Sequence, residues 1–81
     1  MRTRDQIRGN KNICGMKIEY MRKEKGIKQV EMLESLALQG VQMTSSVLSK
    51  IEGQHRTIND YELAAIANVL DVSTDVLLGR I

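Results

Sequence analysis

Thr44-Ser45-Ser46-Val47-Leu48-Ser49-Lys50-Ile51-Glu52-Gly53 is the stretch on which the fold turns. Threonine ahead of an amphipathic run makes a good helix N-cap, because its hydroxyl oxygen accepts from an N–H group that the first turn leaves unpaired. Leu48 and Ile51 lie three apart and define one apolar side. Stepping about 100° per residue from them turns Ser46 and Lys50 almost directly outward, with Ser45 and Ser49 on the flank. Gly53 stands where a left-handed C-terminal turn favours glycine. A helix barely three turns long is therefore expected over 44–52, with a small, polar outer face.

The same devices recur on either side. Met43 precedes the Thr44 cap and Leu48 follows at the fourth helical position, the arrangement of a hydrophobic staple. Ile27–Met32, Ile58–Leu63 and Val72–Leu77 repeat it, and each places a helix start one residue after its first member. Helix 2 is expected from Gln29 to about Leu38, with Met32, Leu33, Leu36 and Ala37 as its buried stripe and Gly40 as its stop. Lys28 is a poor cap for it. Asn59 with Glu62 reads as a capping box opening helix 4, whose apolar set is Leu63, Ile66, Ala67 and Leu70. Ser73 caps a short helix 5 that ends near Gly79.

Upstream, Cys14, Ile18 and Met21 recur at helical spacing from Ile13 to Lys25, with Lys17, Glu19, Arg22 and Lys23 on other faces and Gly26 as a stop. Residues 1–11 lack apolar periodicity and carry Arg2, Arg4, Arg8 and Lys11, which suits a mobile basic arm ahead of one domain at 12–81. The arm reaches into a minor groove or is a disordered or foreign tail. The fold class is all-α, five short helices.

Composition bounds the function. There is no Pro, Trp or Phe, and a single cysteine, Cys14, permits neither an internal disulfide nor a cysteine-based metal site. Cys14 and Met16, Met21, Met32 and Met43 read as core or junction fillers. No apolar run approaches the ~20 residues that span a bilayer, and the basic start leads into no signal-peptide core, so a cytoplasmic, membrane-free setting is expected. Residues 1–28 hold nine Lys/Arg against three Asp/Glu, and residues 29–81 hold three against seven. A one-sided basic surface is what a polyanion binder presents, and a basic tail on an ordinary domain gives the same count. One His and one Cys without a neighbouring base motif, no Gly-rich phosphate loop and no metal-ligand cluster argue against an enzyme and against any cofactor.

MRKEKGIKQVEML (21–33) followed by TSSVLSKIEGQHRTINDYELAAIANVLDVSTDVLLG (44–79) resembles the Cro/phage-repressor type helix-turn-helix family, also called Xre-like. The matching elements are Arg22, Gly26, Ile27 and Gln29, the run Leu48 to Glu52, and the Val-Ser-x-Asp-x-Leu-Leu ending. The resemblance covers about residues 12–80. It implies a compact five-helix lambda-repressor-like bundle whose helix 44–52 enters the major groove of operator DNA. On that basis Gln29 contacts the DNA backbone, Ser45, Ser46, Ser49 and Lys50 face bases, Thr44 opens the recognition helix, and the loop carrying Arg56 touches phosphate.

Two departures stand out. Leu38 to Met43 make a longer connection than the motif usually has, so either helix 2 is extended or the turn is an elaborated loop. Three serines also occupy positions where Arg, Gln or Asn would make bidentate base contacts. The expected role is a prokaryotic or phage transcriptional regulator, a repressor in its simplest form, acting as a homodimer with Leu77, Leu78 and Ile81 as candidate contacts. The rival is a protein-interaction module, such as an antitoxin or anti-repressor, with a protein as its partner.

Overall fold

A computed structural model describes residues 8–81, so the greater part of the expected arm lies outside the described residues. Those residues form five helices and no strand: α1 (Gly15–Glu24), α2 (Gln29–Leu38), α3 (Ser45–Glu52), α4 (Asp60–Leu70) and α5 (Thr74–Leu77). The helix starts follow the staples. Ile27, Met43, Ile58 and Val72 are each half-buried against a core that contains their partners Met32, Leu48, Leu63 and Leu77. Thr44 Oγ1 accepts from Val47 N–H at 3.2 Å, and Ser73 Oγ from Val76 N–H at 3.3 Å. Lys28 offers no acceptor, and the Glu31 carboxylate takes up its backbone N–H at 2.8 Å instead.

The core is Ile18 of α1, Met32 and Leu36 of α2, Leu48 and Ile51 of α3, Leu63, Ile66 and Leu70 of α4, and Leu77 of α5. α3 packs on α1 and α2, α4 on α1 and α2, and α5 on α4. Cys14 is fully buried, and burial pushes its thiol pKa up, so it is an inert space-filler.

Several expectations are corrected. Ala37 is exposed, and α2 buries Met32 and Leu36 with Leu33 only partly covered. Met16 is half-exposed rather than core, whereas Leu77 is 1% exposed and belongs to the core, Leu78 is half-buried against it, and of the three candidate contacts Ile81 alone is exposed. Glu19 and Arg22 are buried despite their charge, because each meets an opposite charge, at Arg8 and Glu52. Gly53 is right-handed, at φ −81°, and the left-handed residue is Gln54, at φ 63°. Tertiary bonds hold Gln54 there: its Nε2 donates to Asn12 O at 2.6 Å and its carbonyl accepts from Lys11 N–H at 2.9 Å.

Residues 8–12 thus belong to the folded body. Gly9 N–H donates to Gly53 O at 2.9 Å, and Arg8 donates to the Glu52 carbonyl and to the Glu19 carboxylate. The connection after α2 is an elaborated loop, not a helical extension. Gly40, at φ 82°, reverses the chain so that Val41 N–H returns to Leu36 O at 2.9 Å and the Val41 side chain enters the core. Gln39 then fastens the loop to α4, donating to Ala65 O at 3.0 Å and accepting from Asn68 at 2.9 Å.

α1 lies so close to the end of α3 that a Cβ on Gly15 would sit 2.1 Å from Ile51 O. Gly15→Ala is expected to lower stability by about 2 kcal/mol or more through overpacking, read by urea unfolding. An alanine variant as stable as the parent would contradict this packing.

Candidate nucleic-acid interface

α3 presents its outer face because its inner face is held at both ends. At the N-terminus the Thr44 cap fixes the first turn, and at the C-terminus Glu52 is fully buried and paired with Arg22 of α1. That pair is bidentate, with Arg22 Nε to Glu52 Oε2 at 2.7 Å and the second guanidinium nitrogen to Oε1 at 3.1 Å. The remaining guanidinium nitrogen donates to Ile27 O at 2.9 Å, the residue before the α2 cap. Gln29 completes the group, donating from Nε2 to Glu52 Oε1 at 3.1 Å and to Ser49 Oγ at 3.2 Å. One carboxylate therefore joins α1, α2 and α3.

The consequence is one continuous surface. Gln29 at the start of α2 abuts Ser49, Lys28 precedes it as the cap residue, and one turn back along α3 lie Ser45 and Ser46. Thr44, Ser45, Ser46 and Lys50 are exposed, and Ser49 is half-buried against Gln29. No acidic side chain stands on this face of α3, because Glu52 is turned inward and matched by Arg22. Unpaired N–H groups of the first turn, serine hydroxyls and the Lys28 and Lys50 ammonium groups make it a donor-rich surface, suited to phosphate oxygens and base edges.

Arg56 is bonded within the fold. Its guanidinium turns to Glu62 of α4, at 3.0 and 3.3 Å, and to Thr57 O at 3.0 Å. Burial acts to raise the Glu62 pKa, but hydrogen bonds from Arg56 and from Asn59 N–H, together with the Arg56 charge, outweigh it and hold the carboxyl below the ordinary range. The structure thus brings Gln29 and Ser49 together beside Thr44, Ser45, Ser46 and Lys50, and leaves Arg56 in a separate pair that secures the loop after α3. His55 is exposed, with its N–H on Lys50 O at 2.8 Å.

Two residues of the site's support were missed in sequence. Asn12 takes Cys14 and Gly15 N–H on Oδ1 and donates to Ile51 O and Arg56 O, tying α1, α3 and the following loop. An asparagine two to three residues ahead of a helix is a local signal for such a turn. Glu52 also carried a signal, as an acidic residue next to the apolar Ile51 with an arginine on a neighbouring helix.

Among the described residues no group of His, Cys, Asp and Glu could hold a metal ion, and no helix is long and apolar enough to cross a membrane. Comparison of the chain with protein-family models, with curated proteins and with solved structures finds no match.

The lowered pKa of Glu62 fixes the sign of a pH effect. Its contribution to stability is present above the ordinary glutamate value of 4.5 and is lost as the pH falls toward the lower folded value. Glu62→Gln is expected to cost about 1 kcal/mol near neutral pH and to flatten the decline below pH ~5. Melting curves of the two proteins from neutral to acid check this, and parallel declines would contradict it.

Proposed function

We propose that this chain is a sequence-specific double-stranded DNA-binding protein, a prokaryotic or phage transcriptional regulator that works by occupying its operator and performs no chemistry. The observation that carries the reading is the donor-rich, acid-free outer face of α3, backed by a neutralised Glu52 and bordered by Lys28 and Gln29. A helix of eight residues is about 12 Å long, comparable with the width of the B-DNA major groove. α3 enters that groove by its N-terminal end, with Ser45, Ser46, Ser49 and Lys50 toward the bases and Gln29 and Lys28 against phosphates. The α2–loop–α3 unit then serves as a helix-turn-helix of the Cro/phage-repressor type, with the loop at 39–44 longer than usual. Arg56 acts on the site by securing the loop through Glu62 rather than by reaching phosphate itself.

Serine hydroxyls discriminate bases less sharply than bidentate Arg, Gln or Asn. Specificity therefore draws on duplex shape and bridging water as well as on direct contacts. A homodimer on two half-sites about 34 Å apart is the expected assembly. The second reading, an antitoxin or anti-repressor directed at a protein, draws on the same small-residue face, which could equally meet a flat polypeptide surface.

Binding should be titrated on DNA from the protein's own promoter and on a scrambled duplex at several salt concentrations. The expected result is tighter binding to the promoter, with a log–log salt slope steeper than about −2 as lysines release counterions. Equal affinity for both duplexes, or no salt dependence, would overturn it. Ser46→Glu places a carboxylate in the first turn of α3, where the helix dipole favours it. It should leave the melting temperature unchanged or raised while weakening DNA binding about tenfold or more.

A further inference from the structure

The residues just ahead of α1 are held to the body differently from the rest of the fold. Arg8, Gly9, Asn10 and Lys11 carry no apolar side chain and contribute nothing to the core. Their hold is polar. Arg8 pairs with Glu19 at 2.7 Å and donates to the Glu52 carbonyl, Gly9 N–H donates to Gly53 O at 2.9 Å, and Lys11 N–H donates to Gln54 O at 2.9 Å. Asn10 and Lys11 are exposed, and Arg8 and Gly9 are half-buried. Asn12 is the fixed end of this segment, buried and bonded to Cys14 N–H, Gly15 N–H, Ile51 O and Arg56 O. A surface segment with solvent-facing hydrogen bonds and few apolar contacts belongs to the part of a fold that opens most easily.

What the segment holds is the end of α3. Glu52 is gripped twice, by Arg8 on its carbonyl and by Arg22 and Gln29 on its carboxylate, and Gln29 in turn meets Ser49 of the outer face. Gln54 stands in the left-handed region at φ 63°, kept there by Lys11 N–H on its carbonyl and by its own Nε2 on Asn12 O at 2.6 Å. A non-glycine residue keeps that conformation only while its surroundings enforce it. Lifting residues 8–11 removes donors from the carbonyls of Glu52, Gly53 and Gln54, and takes one of the two tethers from Gln54. The last turn of α3 then frays more readily, and α3 loses one of the ties that fix its roll.

We propose that residues 8–11 form a strap that opens as a unit about Asn12 while the helices stay folded, and that the closed strap holds α3 in the state that binds. The opening is a property of the folded chain; the control of binding rests on the duplex reading given above. Closed, the strap orders the last turn of α3 in advance, so less ordering remains when a duplex arrives. Open, α3 still carries its serines and Lys50 but presents them with a less fixed roll, and affinity falls. Arg8 turns its charge to Glu19 in the closed state, so the strap acts through α3 and not through a phosphate of its own. A partner that captures residues 8–11 therefore lowers duplex affinity without touching the reading face.

Gly9→Ala tests the strap in the whole chain. A Cβ there would overlap the Gln54 carbonyl oxygen, while every charge and every residue of the α3 face stays in place. In the parent, Lys11 N–H should exchange with solvent about tenfold or more faster than Ile66 N–H within α4. The variant should keep its helical circular dichroism, speed that exchange and tryptic cleavage after Lys11 by about tenfold, and shift the amide resonances of Ser45 to Lys50. It should bind promoter DNA about fivefold more weakly at an unchanged salt slope. Equal exchange of Lys11 and Ile66 in the parent, or loss of helical structure in the variant, would overturn the separate opening. Unmoved Ser45 to Lys50 resonances, unchanged affinity or a shallower salt slope would overturn the control of α3. If the parent binds promoter and scrambled duplexes alike, the duplex reading fails, and the exchange rates and resonance shifts still decide whether the strap acts on α3.

Discussion

The buried pair between Arg22 and Glu52 is the constraint from which the rest of the arrangement follows. Glu52 has no access to water, and an isolated carboxylate in that position would be strongly unfavourable. It is accommodated because Arg22 meets both oxygens and Gln29 adds a further donor. Removing one partner of such a pair typically costs about 3–5 kcal/mol, although the intact pair need be worth little against an apolar replacement. Its value here is positional. One carboxylate sets the roll of α3 against α1 and the approach of α2, which decides the side chains that α3 shows to solvent.

That geometry separates two surfaces. The outer face of α3 carries hydroxyls, the open N–H groups of its first turn and Lys50, with the Gln29 amide beside Ser49, whereas the carbonyls at its C-terminal end are sealed by polar bonds. Asn12, Arg8 and Gly9 converge there on the carbonyls of Ile51, Glu52 and Gly53. Carbonyls that would otherwise lie open at the end of α3 are thus satisfied by the segment ahead of α1. Beyond them the surface becomes apolar, along Ile13, Met16 and Tyr20. The polar face of α3 and the exposed apolar stripe of α1 are thus separate surfaces.

What was legible in the sequence was local. Caps and staples act within five or six residues, so Met43–Leu48, Ile58–Leu63 and Val72–Leu77 located helix starts, and 3.6-residue periodicity identified Ser46 and Lys50 as outward. What escaped notice depended on partners far along the chain. Arg22 and Glu19 look like surface residues until Glu52 and Arg8 are brought beside them, and Gln54 adopts a glycine conformation because Lys11 and Asn12 hold it. Arg56 was given a phosphate role by the resemblance alone. The Glu62 carboxylate, already recognised as part of a capping box, also accepts the guanidinium.

The claim that α3 reads a duplex with its outer face is tested most directly by mapping backbone amide shifts of the labelled protein on titration with its promoter DNA. The account predicts perturbations concentrated at Lys28, Gln29 and Thr44 to Lys50, with Ile13 to Tyr20 unaffected. Perturbations centred on the apolar stripe of α1, or none at α3 under conditions where binding is saturated, would contradict it.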